Sequence, residues 1–399
     1  MTGFAWPLMI DSVTDEDKQA LVDFIMTPGV RFTQSSKVRE FELKWSEWLG
    51  VKHSVFVNSG SSANYIAAAL MRDRIGRDKH VIVPPIGWSS DVASVAAAGL
   101  VPVFCDVSLR TLGLSPTATA DAIAATDAKG VVIVHVLGFD AWTDDILDHL
   151  RNIGVFIVED CCEAHGATHS GKKLGTFGDV SCFSFYFGHH MTTIEGGMLC
   201  TDDDLLHDSM LMYRSHGMVR DCSVKTRESM ARGWPDLNPL FTFRVAGFNM
   251  RSTELNAVLG LSQLPRLDDA ISVRRANLDE WVNGLDPREF IVDYEIAGNS
   301  SFALPLITKT QCSPAKLKRI TDVLERHCVE YRIGTAGGGN QTKQPYLSDI
   351  KHVIHGRYEQ LQNADHIHSC GLYVGNHTGL DRATMFSVAA DLNKAARDG

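Results

Sequence analysis

The stretch Phe183-Ser-Phe-Tyr-Phe-Gly-His-His-Met-Thr-Thr-Ile-Glu-Gly-Gly197 decides how this chain is read. It opens on an apolar, aromatic run of strand character, passes through two adjacent histidines, His189 and His190, and closes on a glycine pair. Glycine pairs let a backbone come close to a ligand or adopt conformations closed to other residues. A histidine taken alone is more often structural than reactive, so these two acquire meaning only from what surrounds them.

Upstream of this stretch, short apolar runs alternate with helical segments. Val55-Phe-Val57 precedes Asn58-Ser-Gly-Ser-Ser62 and a helix through Met71, and Val81-Ile-Val83 precedes Pro84-Pro-Ile-Gly-Trp88 and a helix through Ala98. The runs 101–104, 131–136 and 156–158 continue the rhythm, with helices expected over 116–125 and 142–152. Continuous apolar strands separated by helices predict an α/β fold with a mostly parallel central sheet and helices on both faces. A helix is expected over 11–28, capped by Ser12 or Thr14. Residues 252–285 read as helical, with Pro265 as a break.

From about residue 286 the pattern changes. Strands are expected at 301–307 and 372–374, with one helix starting at Ser313-Pro314 and a last one capped by Asp381. This predicts a large domain over 1–275 and a small C-terminal α+β domain over 276–399. Gly337-Gly-Gly339 reads as a mobile loop.

Composition narrows the function. The net charge of −10 argues against a nucleic-acid binder, which carries a basic patch. No apolar run approaches the ~20 residues that cross a bilayer, and the N-terminus has no secretory pattern, so no membrane partner is expected. The nine cysteines contain no Cys-x-Cys or Cys-x-x-Cys pair, which predicts reduced thiols, a cytoplasmic location, and neither a metal site nor an iron–sulfur cluster.

Three places carry chemistry. The turn Asn58–Ser62 lies between a strand and a helix, so the backbone N–H groups of Gly60, Ser61 and Ser62 form a candidate anion site, although such turns are often small for steric reasons alone. Asp160, in Val158-Glu-Asp-Cys-Cys-Glu-Ala-His-Gly166, sits at the C-terminal end of a strand, where open α/β sheets bind ligands. A carboxylate there suits a protonated pyridine nitrogen. Trp88 stands at another strand end.

These motifs, in this order, resemble the PLP-dependent sugar aminotransferase/dehydratase family along nearly the whole chain. In that family's pattern, Ser-Phe is followed, after three intervening residues, by the lysine that holds pyridoxal phosphate (PLP) as a Schiff base. Ser184-Phe185 sets the register, and His189 stands in the lysine's place. The resemblance assigns Asp160 to the pyridinium nitrogen, Trp88 to the ring face and Ser184 to the phosphate. It assigns Glu163 to the ring hydroxyl, where the family usually has glutamine. Gly247-Phe-Asn-Met-Arg-Ser-Thr-Glu254 matches a family motif whose asparagine, here Asn249, reaches the phosphate of a neighbouring subunit. The implied fold is the aspartate-aminotransferase fold type I, working as a homodimer with its active site at the subunit interface.

Imidazole forms no stable Schiff base, so the cofactor is expected to bind non-covalently as PLP or its amine form, PMP. Imidazole is also a competent acid and base near neutral pH. Family members with His-His at this place are dehydratases, of which one group adds an iron–sulfur cluster that the cysteine spacing excludes. The resemblance thus implies a carbon–oxygen lyase that removes the C3 hydroxyl of a nucleotide-linked 4-keto-6-deoxyhexose, with GDP as the favoured nucleotide. In that reaction glutamate supplies the amine and leaves as 2-oxoglutarate, His189 is the catalytic acid and base, and ammonia is lost by hydrolysis. The setting is colitose-type deoxysugar biosynthesis. A nucleotide-sugar aminotransferase is the first alternative. A PLP-binding pseudoenzyme is the second, disfavoured because Asp160, Ser184 and Trp88 are all retained. His216, Arg220 and Arg332 are carried over as substrate contacts. The loop Arg332–Asn340 departs from the pattern, being longer and lacking its proline.

Overall fold

The computed structural model describes residues 3–356 and 361–397. In the first half the strands are β1 (His53–Val57), β2 (His80–Val83), β3 (Val101–Phe104), β4 (Gly130–Val134), β5 (Phe156–Asp160), β6 (Thr168–His169), β7 (Lys172–Lys173), β8 (Val180–Ser184) and β9 (Gly197–Thr201). In the second half they are β10 (Ala303–Ile307), β11 (Tyr331–Ile333), β12 (Val353–Ile354) and β13 (Gly371–Gly375). The main sheet has eight strands in the order β1-β9-β8-β5-β4-β2-β3-β12. Only β9 runs against its neighbours, and every other pairing is parallel.

Every residue of β4, β5, β8 and β9 is buried, as a sheet with both faces covered requires. The apolar side chains on its two faces form two clusters. One gathers Ile66, Val95 and Phe104, the other Phe41, Trp45 and Phe183. A second, antiparallel sheet, β10-β13-β11, belongs to the C-terminal part. Two-residue β12 carries the late chain back to the edge of the main sheet, parallel to β3.

Local signals explain the boundaries. Thr14 caps the first helix, Asp15–Met26, in a reciprocal capping box with Asp17. Ser313 caps Pro314–Arg326 with proline in its first turn. Pro265 falls in a 3₁₀ turn, Leu264–Arg266, that separates helix Glu254–Gln263 from helix Leu267–Gly284.

Three features differ from the sequence reading. The strand before His189 ends at Ser184, so most of the aromatic run lies beyond it; Phe185 adds one more ladder bond, to the carbonyl of Gly196 at 2.9 Å. The apolar residues of the first helix are split: Leu21 and Phe24 are half-buried, while Val22, Ile25 and Met26 are 50%, 47% and 74% exposed. The Gly337–Gly339 loop, expected to be mobile, packs against the turn before Trp88. A Cβ on Gly337 would lie 2.2 Å from the Gly87 carbonyl oxygen, and the Gln341 N–H donates to the Pro85 carbonyl at 2.7 Å.

The glycine pair closes the main sheet against the first motif. A Cβ on Gly197 would lie 2.2 Å from the Ser59 carbonyl oxygen and 2.7 Å from the Gly60 nitrogen, both backbone atoms that cannot swing aside. Gly197→Ala is expected to cost about 2 kcal/mol or more, from overpacking against rigid backbone. Urea denaturation checks this, and an unchanged midpoint would contradict it.

Candidate active site

The sheet's direction gathers the site. β2, β4, β5 and β8 run parallel, and β1 joins them in direction through the reversed β9, so their C-terminal ends share one edge. Asp160 is the last residue of β5, Ser184 the last of β8, and Trp88 follows β2.

At one side of this edge helix Gly60–Ile75 begins. The Ser59 side chain accepts from the Ser62 N–H at 3.1 Å, and the following turn is oriented with its N–H groups outward. Gly60 is buried with no room for a side chain: its Cβ would lie 2.6 Å from Ser184 Cβ and 3.0 Å from both Ser184 Oγ and Cys162 Sγ. The hydroxyl of Ser184 is thereby seated against the positive end of the helix. Ser61 is exposed and Ser62 half-buried.

On the other side lie three acids. Asp160 is 5% exposed, and its Oδ1 accepts from the Cys162 N–H at 2.8 Å. Its Oδ2 accepts from Asn64 Nδ2 at 2.6 Å, and the same amide donates to Asp91 Oδ1 at 3.0 Å. Asp91 is 3% exposed and its Oδ2 accepts from the Trp88 N–H at 3.1 Å. Burial, then the neighbouring Asp160 and Glu163 charges, push Asp91 well above the usual carboxylate range. Glu163 accepts from the Leu137 N–H at 2.8 Å. Burial raises its pKa to about 7; the hydrogen bond from Leu137 opposes that, and the Asp160 charge adds to it. A carboxyl at this value spends much of its time protonated near neutral pH, and so offers the donor and acceptor of a glutamine.

His189 sits across from Asp160. Burial drops it to about 4, with Asp160 pulling the other way and Arg274 adding to the fall. It is therefore a neutral base at pH 7. Its Nδ1 is buried without a hydrogen-bond partner. His165 lies 6.0 Å away, ring centre to ring centre, and His190 interacts through Nε2 with the Ser300 carbonyl at 3.1 Å. Burial holds both of these far below the ordinary imidazole value. Arg274, buried behind them, donates to the carbonyls of Phe302 at 3.0 Å and of Asn376.

The sequence-based candidates divide into two groups. Gly60, Ser184, Asp160, Glu163 and His189 converge on this edge, and Trp88 is tied to it through Asp91. The Trp88 side chain is 58% exposed. Asn249 is exposed, and its side-chain Oδ1 accepts from Arg251 Nε at 3.0 Å, outside the cluster. His216 is exposed, Arg220 approaches Asp221 at 3.9 Å, and Arg332 lies on β11 beside Glu330 at 3.5 Å. Asn64 and Asp91 are the residues that sequence reasoning missed; neither carries a motif signal. Among the described residues His135, Glu159 and Cys161 could hold a metal ion. Glu159 there already accepts from Trp142 Nε1 and from the Gly175, Phe177 and Gly178 N–H groups, so the cluster reads as structural.

This edge suits a phosphorylated nitrogen heterocycle. A carboxylate waits at one end, a hydroxyl and a helix N-terminus at the other, and the Asn64 Oδ1 and His189 Nδ1 are buried without partners. The profile of the DegT/DnrJ/EryC1/StrS aminotransferase family matches residues 12–393. A GDP-4-keto-6-deoxy-D-mannose 3-dehydratase from Yersinia pseudotuberculosis is 30% identical over 374 residues, covering 92% of this chain and 93% of the relative. The solved structure of the E. coli GDP-4-keto-6-deoxy-D-mannose-3-dehydratase with bound hydrated PLP superposes with a TM-score of 0.85 at 26% identity, covering 99% of this chain and 100% of that one. A GDP-4-keto-6-deoxymannose-3-dehydratase with a trapped PLP-glutamate geminal diamine gives 0.86 at 27% identity, over 97% of this chain and 100% of that one. Fold, site and sequence agree that the chain belongs to the DegT/DnrJ/EryC1/StrS aminotransferase family.

Proposed function

We propose that this chain is a PLP-dependent dehydratase that removes the C3 hydroxyl of GDP-4-keto-6-deoxy-D-mannose, with glutamate as amino donor. The observation that carries this reading is His189: a neutral, buried imidazole at the family's lysine position, surrounded by cofactor ligands that are otherwise retained. The two similar dehydratases, one solved with hydrated PLP and one with PLP-glutamate, support it.

When bound, the cofactor supplies an electron sink and, in its amine form, the nitrogen that engages the sugar's C4 carbonyl. The chain supplies the rest. Gly60, Ser61 and Ser62 N–H groups and the Ser184 hydroxyl hold the phosphate. Asp160 keeps the ring nitrogen protonated, Glu163 meets the ring hydroxyl and Trp88 covers the ring face. His189 takes a proton on its imidazole and returns it to the departing C3 hydroxyl. No amine of the chain stands at position 189 to recapture the cofactor, so the nitrogen leaves with the sugar and is lost to water as ammonia.

The active unit proposed is a homodimer. Val22, Ile25 and Met26 on the first helix, and Phe241, Phe243 and Phe248 on the segment before Asn249, are all large apolar side chains 47% or more exposed in one protomer. A second copy that covers them carries its Asn249 towards the phosphate site. His216 and Arg220 flank that segment and, with Arg332, are proposed as substrate contacts. The division into domains 1–275 and 276–399 is proposed on the change of sheet, with β12 crossing back.

Three outcomes check this reading. Mass spectrometry of protein with PLP, glutamate and GDP-4-keto-6-deoxy-D-mannose should find a sugar lacking one oxygen, no nitrogen gained and ammonia released, and His189→Lys should abolish that loss. A sugar that gains an amine and keeps its C3 oxygen would favour the aminotransferase instead. Phe241→Asp should shift light-scattering mass from dimer to monomer, and a dimer of unchanged affinity would contradict the interface. Because Glu163 is raised to about 7, its contribution to stability is lost as pH rises from about 4.5 through about 7. Glu163→Gln removes that loss, so its thermal stability relative to the parent should rise by up to ~3 kcal/mol between pH ~5 and pH ~8. An equal gap at both pH values would contradict it.

A further inference from the structure

Asp91 has no part in the mechanism above, yet it is the most unusual group near it. It is a carboxyl buried beside two other carboxyls, within hydrogen-bond reach of Asp160, and the charges that act on it most strongly are those of Asp160 and Glu163. The groups that face it can be named element by element. Asn64, on helix Gly60–Ile75, is uncharged and spans both acids with one amide. Beyond the end of β5 come Cys162 and Glu163, and Cys182 lies on β8. Tyr346, from the segment Pro345–Asp349, is close enough to feel the Asp91 charge and is a neutral phenol. His189 couples to Asp160 and is itself neutral.

Two carboxylates this close and this dry do not both stay ionised, because each charge raises the cost of the other. Asp160 has the better set of donors: the Cys162 N–H at 2.8 Å and the Asn64 amide at 2.6 Å. Asp91 receives the same amide at a longer 3.0 Å, and the Trp88 N–H at 3.1 Å. The negative charge therefore settles on Asp160 and the proton on Asp91.

Resting on the assignment of Asp160 to the cofactor's ring nitrogen, we propose that Asp91 is a positioning residue which acts through Asp160. It holds the proton of the pair and donates it to Asp160, so that Asp160 waits as a carboxylate of fixed orientation. The same side chain accepts from the Trp88 N–H, so one carboxyl ties the ring-nitrogen partner to the turn that carries the ring-stacking tryptophan.

The test measures the affinity of PLP across pH by fluorescence and absorbance, together with the apoprotein's melting temperature. Asp91→Asn, the isostere of a protonated carboxyl, should keep PLP affinity within about twofold and keep its pH profile. Asp91→Ala loses the donor to a charged acceptor and should weaken PLP roughly tenfold, with the profile displaced towards higher pH as Asp160 becomes a stronger base. A purely structural role would lower the melting temperature of Asp91→Ala and leave the profile in place, which would overturn the proposal. A displaced profile in Asp91→Asn would also overturn it, because Asp91 would then be the charged partner. Asp160→Ala separates this inference from the reading beneath it. If that variant binds PLP as the parent does, the ring-nitrogen assignment falls and the inference with it. If it loses PLP while both Asp91 variants behave as the parent, the inference alone falls.

Discussion

Two close approaches of backbone set the rest of the molecule in place. Gly197 lies against the Ser59–Gly60 peptide, and Gly60 lies against Ser184, with no space for a Cβ at either glycine. The first contact seats the reversed strand β9 under the start of helix Gly60–Ile75. The second brings the end of β8 to that helix's N-terminus. Together they bind an anion-attracting helix end to the strand that leads to His189. The parallel sheet does the remainder, because Asp160 must emerge on the same edge.

The electrostatics of that edge follow from burial. Asp91 and Glu163 are pushed towards their neutral forms, and His165, His189 and His190 towards theirs. A site full of ionisable side chains thus has few charges, with Asp160 the carboxylate best supplied with donors. Such a site favours a ligand that brings a cationic nitrogen. It also keeps His189 unprotonated at neutral pH, ready to accept a proton rather than carry one. Groups held away from their ordinary protonation states cost folding stability, which is the usual cost of arranging reactive groups in a dry pocket.

Much of this was legible in the sequence, for physical reasons. Strands buried on both faces are continuous apolar runs, so β1 to β5 could be placed from hydropathy. Caps at Thr14 and Ser313 and the break at Pro265 have local chemistry that any sequence displays. Asp160 could be placed from its strand end, whereas Ser184 and His189 were tied to it only through the family resemblance carried by Ser184-Phe185 and the glycine pair. Other features had no local signal. The direction of β9 is set by its neighbours, and five buried residues look alike either way. Val353–Ile354 is too short to announce a strand. Asn64 and Asp91 are ordinary polar residues near the starts of two helices, and only the tertiary fold makes them meet. The exposed face of helix Asp15–Met26 has a helical apolar pattern, which reads the same whether it meets its own core or another molecule.

The central claim is that this strand edge holds the cofactor without a covalent bond to the protein. A crystal structure of the protein with PLP tests it most directly. The account predicts phosphate on the Gly60–Ser62 N–H groups and Ser184, the ring nitrogen within hydrogen-bond distance of Asp160, and a gap between the ring's reactive carbon and His189. A ring bound at another edge, or joined to a lysine of the chain, would contradict it.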